Sequence, residues 1–292
     1  MQKIILKEHH NYVAFFLTFA CNLNCNYCIN NHSNNLKVKR NKMLTANEWA
    51  RAAERLILRD DLPLTLQGGE PTLYRGFYEF VNNIKNNIKL DLLTNMQFDE
   101  REFAEKTPLK LFLRDAPYAP IRVSYHPAQN DIAEIIKKTE YLQARGFRIG
   151  IYAVLPPDAK KAEEILLLQK ELVAAGFDFR IKEFLGEYNG KIYGQFKYQD
   201  AVSNKPLKNC ECRTTELLVA PNGLIYSCHS HLYAARYEIG HILDENFNAD
   251  LIDIFRECNY YGDCNPCDVK IKTNRFQIFG HTSVEIRNIK EK

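Results

Sequence analysis

Apolar positions follow two rhythms along the first two thirds of the chain. Short, mostly apolar runs recur at Val13–Phe19, Leu62–Leu66, Leu90–Leu93, Ile121–Ser124, Arg148–Leu155 and Phe179–Lys182. They are rich in β-branched and aromatic residues and lack strict alternation, so they read as strands buried on both faces. Stretches with helical spacing lie between them. "LTANEWARAAERLIL" opens with Thr45 and Glu48 at capping-box spacing. "FYEFVNNIKNNI", "DIAEIIKKTEYLQAR" and "KAEEILLLQKELVAAG" follow, the last two stopping near Gly146 and Gly176. Strand and helix alternating six times imply parallel strands joined by right-handed crossovers. Six units fall short of a closed eight-stranded barrel. The expected fold is therefore α/β, a partial (β/α)6 TIM-like barrel.

The rhythm breaks after residue 183. Residues 184–209, "FLGEYNGKIYGQFKYQDAVSNKPLKN", are rich in Gly, Asn and Tyr and carry no helical pattern. The Tyr-rich part, 188–198, reads either as the lining of a substrate entrance or as a linker. "ELLVAPNGLIYSC" reads as a hairpin around Pro221-Asn222-Gly223, with a helix expected at roughly 248–257 and a cysteine-rich loop beyond it. A boundary between 185 and 205 divides the chain into 1–195 and 196–292, the second unit being a small hairpin-plus-helix domain.

Composition narrows the class. With 46% hydrophobic and 26% charged residues the chain is an ordinary globular sequence of 292 residues. A formal charge of +3 gives no reason to expect a nucleic-acid partner, and "KVKRNK" (37–42) reads as a solvated loop. The start, "MQKIILKEHH", has no signal-peptide core. The longest apolar run, Tyr12 to Cys21, is about half a membrane span. The expected location is the cytoplasm, where clustered cysteines bind metal more often than they form disulfides. There are nine cysteines, an odd number that complete pairing cannot satisfy.

Three of them, Cys21, Cys25 and Cys28, form C-x3-C-x2-C directly after the first strand. Finger-type zinc sites use C-x2-C pairs and four ligands. On a cubane iron–sulfur cluster, three thiolates leave one iron for a small-molecule chelate. The loop also sits at the C-terminal mouth of the barrel, where ligands of such folds gather.

This loop resembles the hallmark of the radical SAM superfamily, C-x3-C-x-aromatic-C, with Tyr27 as the aromatic residue. "LTLQGGEPTL" agrees: Gly68, Gly69, Glu70 and Pro71 follow the second strand, and in the family this stretch contacts the amino group of S-adenosylmethionine. Glycines permit close backbone approach, and a glutamate accepts charge-assisted hydrogen bonds. Asn95 ends "LLTN" on the third strand. Ser124 and His126 end "RVSYHP" on the fourth, Ser124 being the better match to the family's ribose contact. Each of Asn95, Ser124 and His126 can equally be a plain strand-end residue. Strands five and six carry no clear adenine-side motif. The resemblance covers residues 13 to about 182. It implies a [4Fe–4S] cluster on Cys21, Cys25 and Cys28, with S-adenosylmethionine at its open iron.

The remaining cysteines are Cys210, Cys212, Cys228, Cys258, Cys264 and Cys267. Cys212 and Cys228 frame C-x10-G-x4-C, which resembles the opening of the SPASM and twitch extensions that hold auxiliary iron–sulfur clusters. The closing part, C-x5-C-x2-C, departs from the seven-cysteine SPASM pattern. Six thiolates suit one auxiliary [4Fe–4S] cluster, on Cys212, Cys228, Cys264 and Cys267, with Cys210 and Cys258 as substitutes. A second, incompletely ligated cluster and a zinc ion are the alternatives. His229 and His231 read as exposed hairpin histidines, with a nitrogen ligand as the other option.

The resemblance implies an enzyme that reductively cleaves S-adenosylmethionine to a 5′-deoxyadenosyl radical. That radical abstracts hydrogen from a substrate carbon, in the first reading one of a peptide or protein residue. A small molecule such as a sugar alcohol or cofactor precursor is the second reading, and a metal-binding scaffold or electron carrier the third. With about twelve residues before the first strand, no leader-binding domain is expected there, and no cobalamin domain is seen. An external one-electron donor such as flavodoxin or ferredoxin is required, and no membrane partner is expected.

Overall fold

The computed structural model describes residues 2–25, 27–28, 42–85, 87–203, 208–273 and 278–289. Residues 37–41 of the basic loop lie outside the described residues. Six parallel strands form the barrel wall: β1 (Tyr12–Thr18), β2 (Leu64–Gly68), β3 (Leu90–Thr94), β4 (Ile121–Tyr125), β5 (Ile149–Leu155) and β6 (Asp178–Glu183). They pair in sequence order, with Val13 opposite Leu64, Leu64 opposite Leu90, Leu92 opposite Ile121, and Ile121 opposite Ile149. Val13 through Leu17 are fully buried, so β1 lies between two layers, as its unbroken apolar run requires.

Helices α1 (Ala46–Arg55), α2 (Phe77–Asn83), α3 (Glu100–Lys106), α4 (Ile132–Gln143) and α5 (Ala159–Ala174) line the outside. The capping box is formed: the Glu48 backbone donates to Thr45 Oγ1, and the Thr45 backbone donates to Glu48 Oε2. Trp49 of α1 packs on Phe15 at 4.7 Å between ring centroids and joins the outer core with Phe77, Phe80 and Phe103. Gly146 and Gly176 adopt φ of 89° and 91° just past α4 and α5, the left-handed turn that ends a helix. The N-terminal end of the lumen is plugged by Asp91, which accepts from Arg114 at 2.7 Å and Arg122 at 3.1 Å. That plug leaves the C-terminal end as the open one.

Beyond β6 comes a small hairpin, β7 (Gly186–Tyr188) and β8 (Lys191–Tyr193), turned through Asn189 and Gly190 at φ of 51° and 75°. Next come β9 (Lys208–Thr214), β10 (Glu216–Val219), β11 (Leu224–Tyr226), helix α6 (His229–Ala234), β12 (Gly240–His241), β13 (Arg256–Tyr261), helix α7 (Pro266–Val269) and β14 (Val284–Arg287). The expected hairpin is β10–β11, yet it does not stand apart. β10 runs parallel to β1, Glu216 opposite Tyr12 and Val219 opposite Phe15, so one nine-stranded sheet runs from β12 to β6. β13, β9 and β14 form a separate three-stranded sheet.

The helix expected at 248–257 is absent. Asn248 caps a single 3-10 turn, Ala249–Leu251, and Arg256 onward enters β13, where pairing with β9 outweighs helix propensity. Helix α3 had no counterpart in the sequence reading, although Asp99 caps it by accepting from Arg101 and Glu102.

Candidate functional site

The loop bearing Cys21, Cys25 and Cys28 leaves the C-terminal tip of β1 and is anchored by three neighbouring strand tips. From β2, the Gly69 backbone donates to Thr18 O and the Glu70 backbone to Ala20 O, both at 2.8 Å. A Cβ on Gly68 would stand 2.0 Å from Thr18 O, and one on Gly69 2.1 Å from Ala20 O. Only glycine permits that approach of two backbones. From beyond β3, Asn95 Nδ2 donates to Asn22 Oδ1 at 2.8 Å and reaches Cys21 Sγ at 3.8 Å. From the loop after β4, Gln129 Oε1 accepts from the Asn24 backbone at 3.1 Å.

Glu70 is the brace beneath this arrangement. Its side chain is almost fully buried. Oε1 accepts from Thr72 Oγ1 and Thr94 Oγ1, at 2.7 and 2.9 Å, and Oε2 from the Asn95 backbone at 2.7 Å. Burial lifts its pKa above the usual carboxylate value, against these donors. The carboxylate thus serves the protein's own framework, linking β2, β3 and the cysteine loop. The sequence reading assigned it to a ligand and missed Asn22, Gln129 and Asn130, whose signal was only a cluster of amide residues at strand ends.

The three thiols fit an iron–sulfur cluster with one open corner. The Cys28 backbone donates to Cys25 O at 3.1 Å, closing a tight turn. The Leu23 backbone donates to Cys21 Sγ at 3.4 Å, as backbone groups do to cluster thiolates. Burial, with the nearby Cys28 and Cys21 charges, pushes the Cys25 thiol up to about 11; a cation between the three would reverse this.

A cavity of about 880 Å³ opens beside Cys25 and Cys28 at the C-terminal tips of β4 to β6. Tyr27 and His126 line it together, Tyr27 Oη lying 2.7 Å from His126 Nδ1. Burial holds His126 below the ordinary histidine value, so the ring is neutral at pH 7. Ser124 lies on the lumen-facing row of β4 with Arg122, outside the lining, and its carbonyl accepts from Asn130. Val154, Pro156 and Pro157 supply an apolar wall from β5, where the sequence reading had assigned nothing. Phe184 meets Tyr27, Tyr188 and Tyr193 edge-on, so the β7–β8 hairpin forms an aromatic rim. The far wall includes Cys264 and Pro266, so one cavity touches both cysteine groups.

In the C-terminal part, Cys210, Cys212 and Cys258 bring their sulfurs within 4.8 Å of one another on one face of the β13–β9 sheet. Cys228 caps α6, its Sγ accepting from the His231 backbone. Cys264 and Cys267 flank the start of α7. The histidines are not exposed on a hairpin: His229 and His231 lie on α6, both buried. His229 Nδ1 pairs with Asp268 at 2.7 Å. Burial opposes charging of either group, but each raises the other's charged form: His229 is held above its usual value and Asp268 below.

A six-stranded partial barrel with five outer helices, a three-cysteine loop at its open end and a glycine-braced second strand agrees with the resemblance to radical SAM proteins drawn from the sequence. Residues 15–108 match the family model described as Radical SAM superfamily. The match implies a [4Fe–4S] cluster and S-adenosylmethionine as cofactors.

Among curated proteins, the chain is 39% identical over 78 residues to "Molybdenum cofactor biosynthesis protein 1" of Drosophila melanogaster, covering 27% of this chain and 14% of that protein. It is 27% identical over 161 residues to "Probable GTP 3',8-cyclase" of Methanococcus aeolicus, covering 52% and 51%. The chain therefore spans about half the length, or less, of these relatives. Among solved structures, it resembles Streptococcus suis SuiB at a TM-score of 0.55 and 15% identity, covering 89% of this chain and 67% of that one. It also resembles anSMEcpe with bound AdoMet and a Kp18Cys peptide at 0.52 and 16%, covering 84% and 79%. At these identities the structures establish the fold. Among the described residues, no helix is long and apolar enough to cross a membrane.

Proposed function

We propose that this protein is a radical SAM enzyme that modifies a peptide or protein residue in the cytoplasm. In this reading Cys21, Cys25 and Cys28 hold the cluster and leave one iron to S-adenosylmethionine. When bound and reduced by an external donor of the flavodoxin or ferredoxin type, the pair supplies a 5′-deoxyadenosyl radical able to take hydrogen from a substrate carbon. Tyr27, His126 and the β5 wall would hold the nucleoside and exclude water. Gly68, Gly69 and Pro71 set the backbone at the amino-acid end, and Glu70, Asn95 and Ser124 fix the strand tips around it.

The observation that carries the reading is the cavity shared by Cys25, Cys28 and Cys264. A substrate bound there reaches the radical at one end and the auxiliary centre at the other. At about 880 Å³ it exceeds what the nucleotide needs and leaves room for one residue of a longer chain, with the aromatic hairpin as entrance. The peptide in the anSMEcpe structure favours the same substrate class. The relatives bearing the GTP 3',8-cyclase name support the second reading, a small-molecule substrate. One auxiliary [4Fe–4S] cluster in the C-terminal part would accept the electron that the substrate radical gives up as it becomes the oxidised product.

Anaerobic reconstitution with iron and sulfide, then dithionite and S-adenosylmethionine, tests this. Release of 5′-deoxyadenosine, lost in Cys21→Ala/Cys25→Ala/Cys28→Ala, is the expected result; none from a fully loaded chain means a scaffold or electron carrier. Adding GTP or a peptide library then separates the substrate classes by which one is consumed.

A further inference from the structure

Three of the six C-terminal sulfurs stand too close together for an iron–sulfur cube. Cys210 and Cys212 are two apart on β9, so their side chains share a face. Cys258 on β13 is directly opposite Cys210. The Cys210 and Cys212 sulfurs are 3.5 Å apart, and all three lie within 4.8 Å. A cube binds each thiolate at a separate iron and so spreads them over its corners. Tetrahedral bonds of about 2.3 Å to one zinc ion bring sulfurs to about 3.8 Å. We propose that Cys210, Cys212 and Cys258 form a mononuclear site for one thiophilic divalent cation of the zinc class, separate from any iron–sulfur cluster.

The surroundings suit such a site. Cys210 is buried, and the paired strands hold the trio rigidly. The ring of His231 on α6 places Nε2 3.8 Å from Cys258 Sγ. Arg236 Nε donates to its Nδ1 at 3.2 Å. Arginine stays protonated, so Nδ1 accepts and the ring proton sits on Nε2, aimed at the Cys258 thiolate. His231 is thus a positioning residue that donates N–H to a ligand sulfur. Arg236 itself stacks 3.5 Å over Tyr260 and places a positive charge beside three thiolates whose complex with a divalent cation carries a net negative charge. Among the described residues, the group supplies three side-chain ligands. The assignment leaves Cys228, Cys264 and Cys267 for the auxiliary cluster, which then has one iron without a protein thiolate. That last consequence rests on the function proposed above; the zinc site does not.

Full-length chain isolated anaerobically from medium containing iron and zinc should carry about one zinc, with sulfur neighbours at about 2.3 Å in its X-ray absorption fine structure. Cys210→Ser/Cys258→Ser should lose the zinc and keep its iron. His231→Ala should keep the site while weakening zinc about 10- to 100-fold in chelator competition, as loss of a supporting hydrogen bond does. Loss of about four irons from the Cys210→Ser/Cys258→Ser chain, or zinc retained by it, overturns the proposal. Should that chain fail to fold, absorption on the native chain still decides: iron without zinc overturns it, and zinc on three sulfurs supports it. Failure of the radical reading is seen separately, as missing 5′-deoxyadenosine with zinc content intact.

Discussion

A methyl group on Gly69 would meet the Ala20 carbonyl at 2.1 Å, backbone against backbone, and neither strand tip can move without moving the cysteine loop. Gly69→Ala is therefore expected to lower iron retention after reconstitution several-fold, read by iron assay and visible absorption. Glu70→Ala removes the acceptor of Thr72, Thr94 and Asn95 inside the fold, at a cost of about 3 kcal/mol in chemical denaturation. Burial and the neighbouring His9 charge lower His10 from 6.5 to about 4. The unfolded chain takes up that proton first, so stability is full above pH 6.5. It declines as pH falls from 6.5 toward 4, by up to about 3 kcal/mol. Denaturation midpoints of the native chain and His10→Gln, compared at pH 8 and pH 4.5, should converge in acid if this holds. At this scale the sequence announced the motif but not its mechanics. Gly68, Gly69 and Glu70 were legible as a ligand loop because their pattern is local. That they brace Thr18, Ala20 and Asn95 depends on contacts between strands far apart in sequence.

Elements whose ends carry their own chemistry were readable. Thr45 with Glu48 announced α1, Gly146 and Gly176 marked two helix ends, and Asn222-Gly223 marked the β10–β11 turn. The failures share a cause. Residues 248–257 read as a helix in isolation, but from Arg256 the chain becomes β13 because β9 offers an edge. His229 and His231 look exposed beside a turn and are buried because Asp268 and Arg236 come from distant or later segments. The β7–β8 hairpin was left between entrance and linker; it lines the cavity through Gly186, Glu187, Tyr188 and Ile192. Replacing residues 187–192 by a Gly-Gly turn should leave cleavage of S-adenosylmethionine within about twofold and reduce substrate turnover at least about tenfold, since it removes orienting contacts and not the reacting centre. Chromatographic quantitation of 5′-deoxyadenosine against product separates the two effects.

For the molecule as a whole, one buried side chain ties together segments on both sides of residue 196. Arg55, at the end of α1 and almost fully buried, donates to the carbonyls of Gln2, Ile242, Asp244 and Phe247, tying the N-terminal segment and the loop after β12 to the barrel. Arg55→Met should cost about 3 kcal/mol, because buried carbonyls lose their donor. A single cooperative transition by calorimetry, lowered but not split in the variant, is the expected readout. Six strand–helix units told the sheet's order from sequence, but nothing local could tell that β10 would extend it beyond β1.

That extension has a consequence for biogenesis. The strand leading into Cys21 leaves a ribosome early, yet the neighbour on its other side, residues 216–219, emerges roughly two hundred residues later. Until then one flank of β1, with Ala14 and Phe16, lacks the cover given by Leu218 and Tyr233. Iron delivery to the first thiols should therefore be a late event, after translation has passed the hairpin, and ribosome-held intermediates stopped before residue 216 should acquire none.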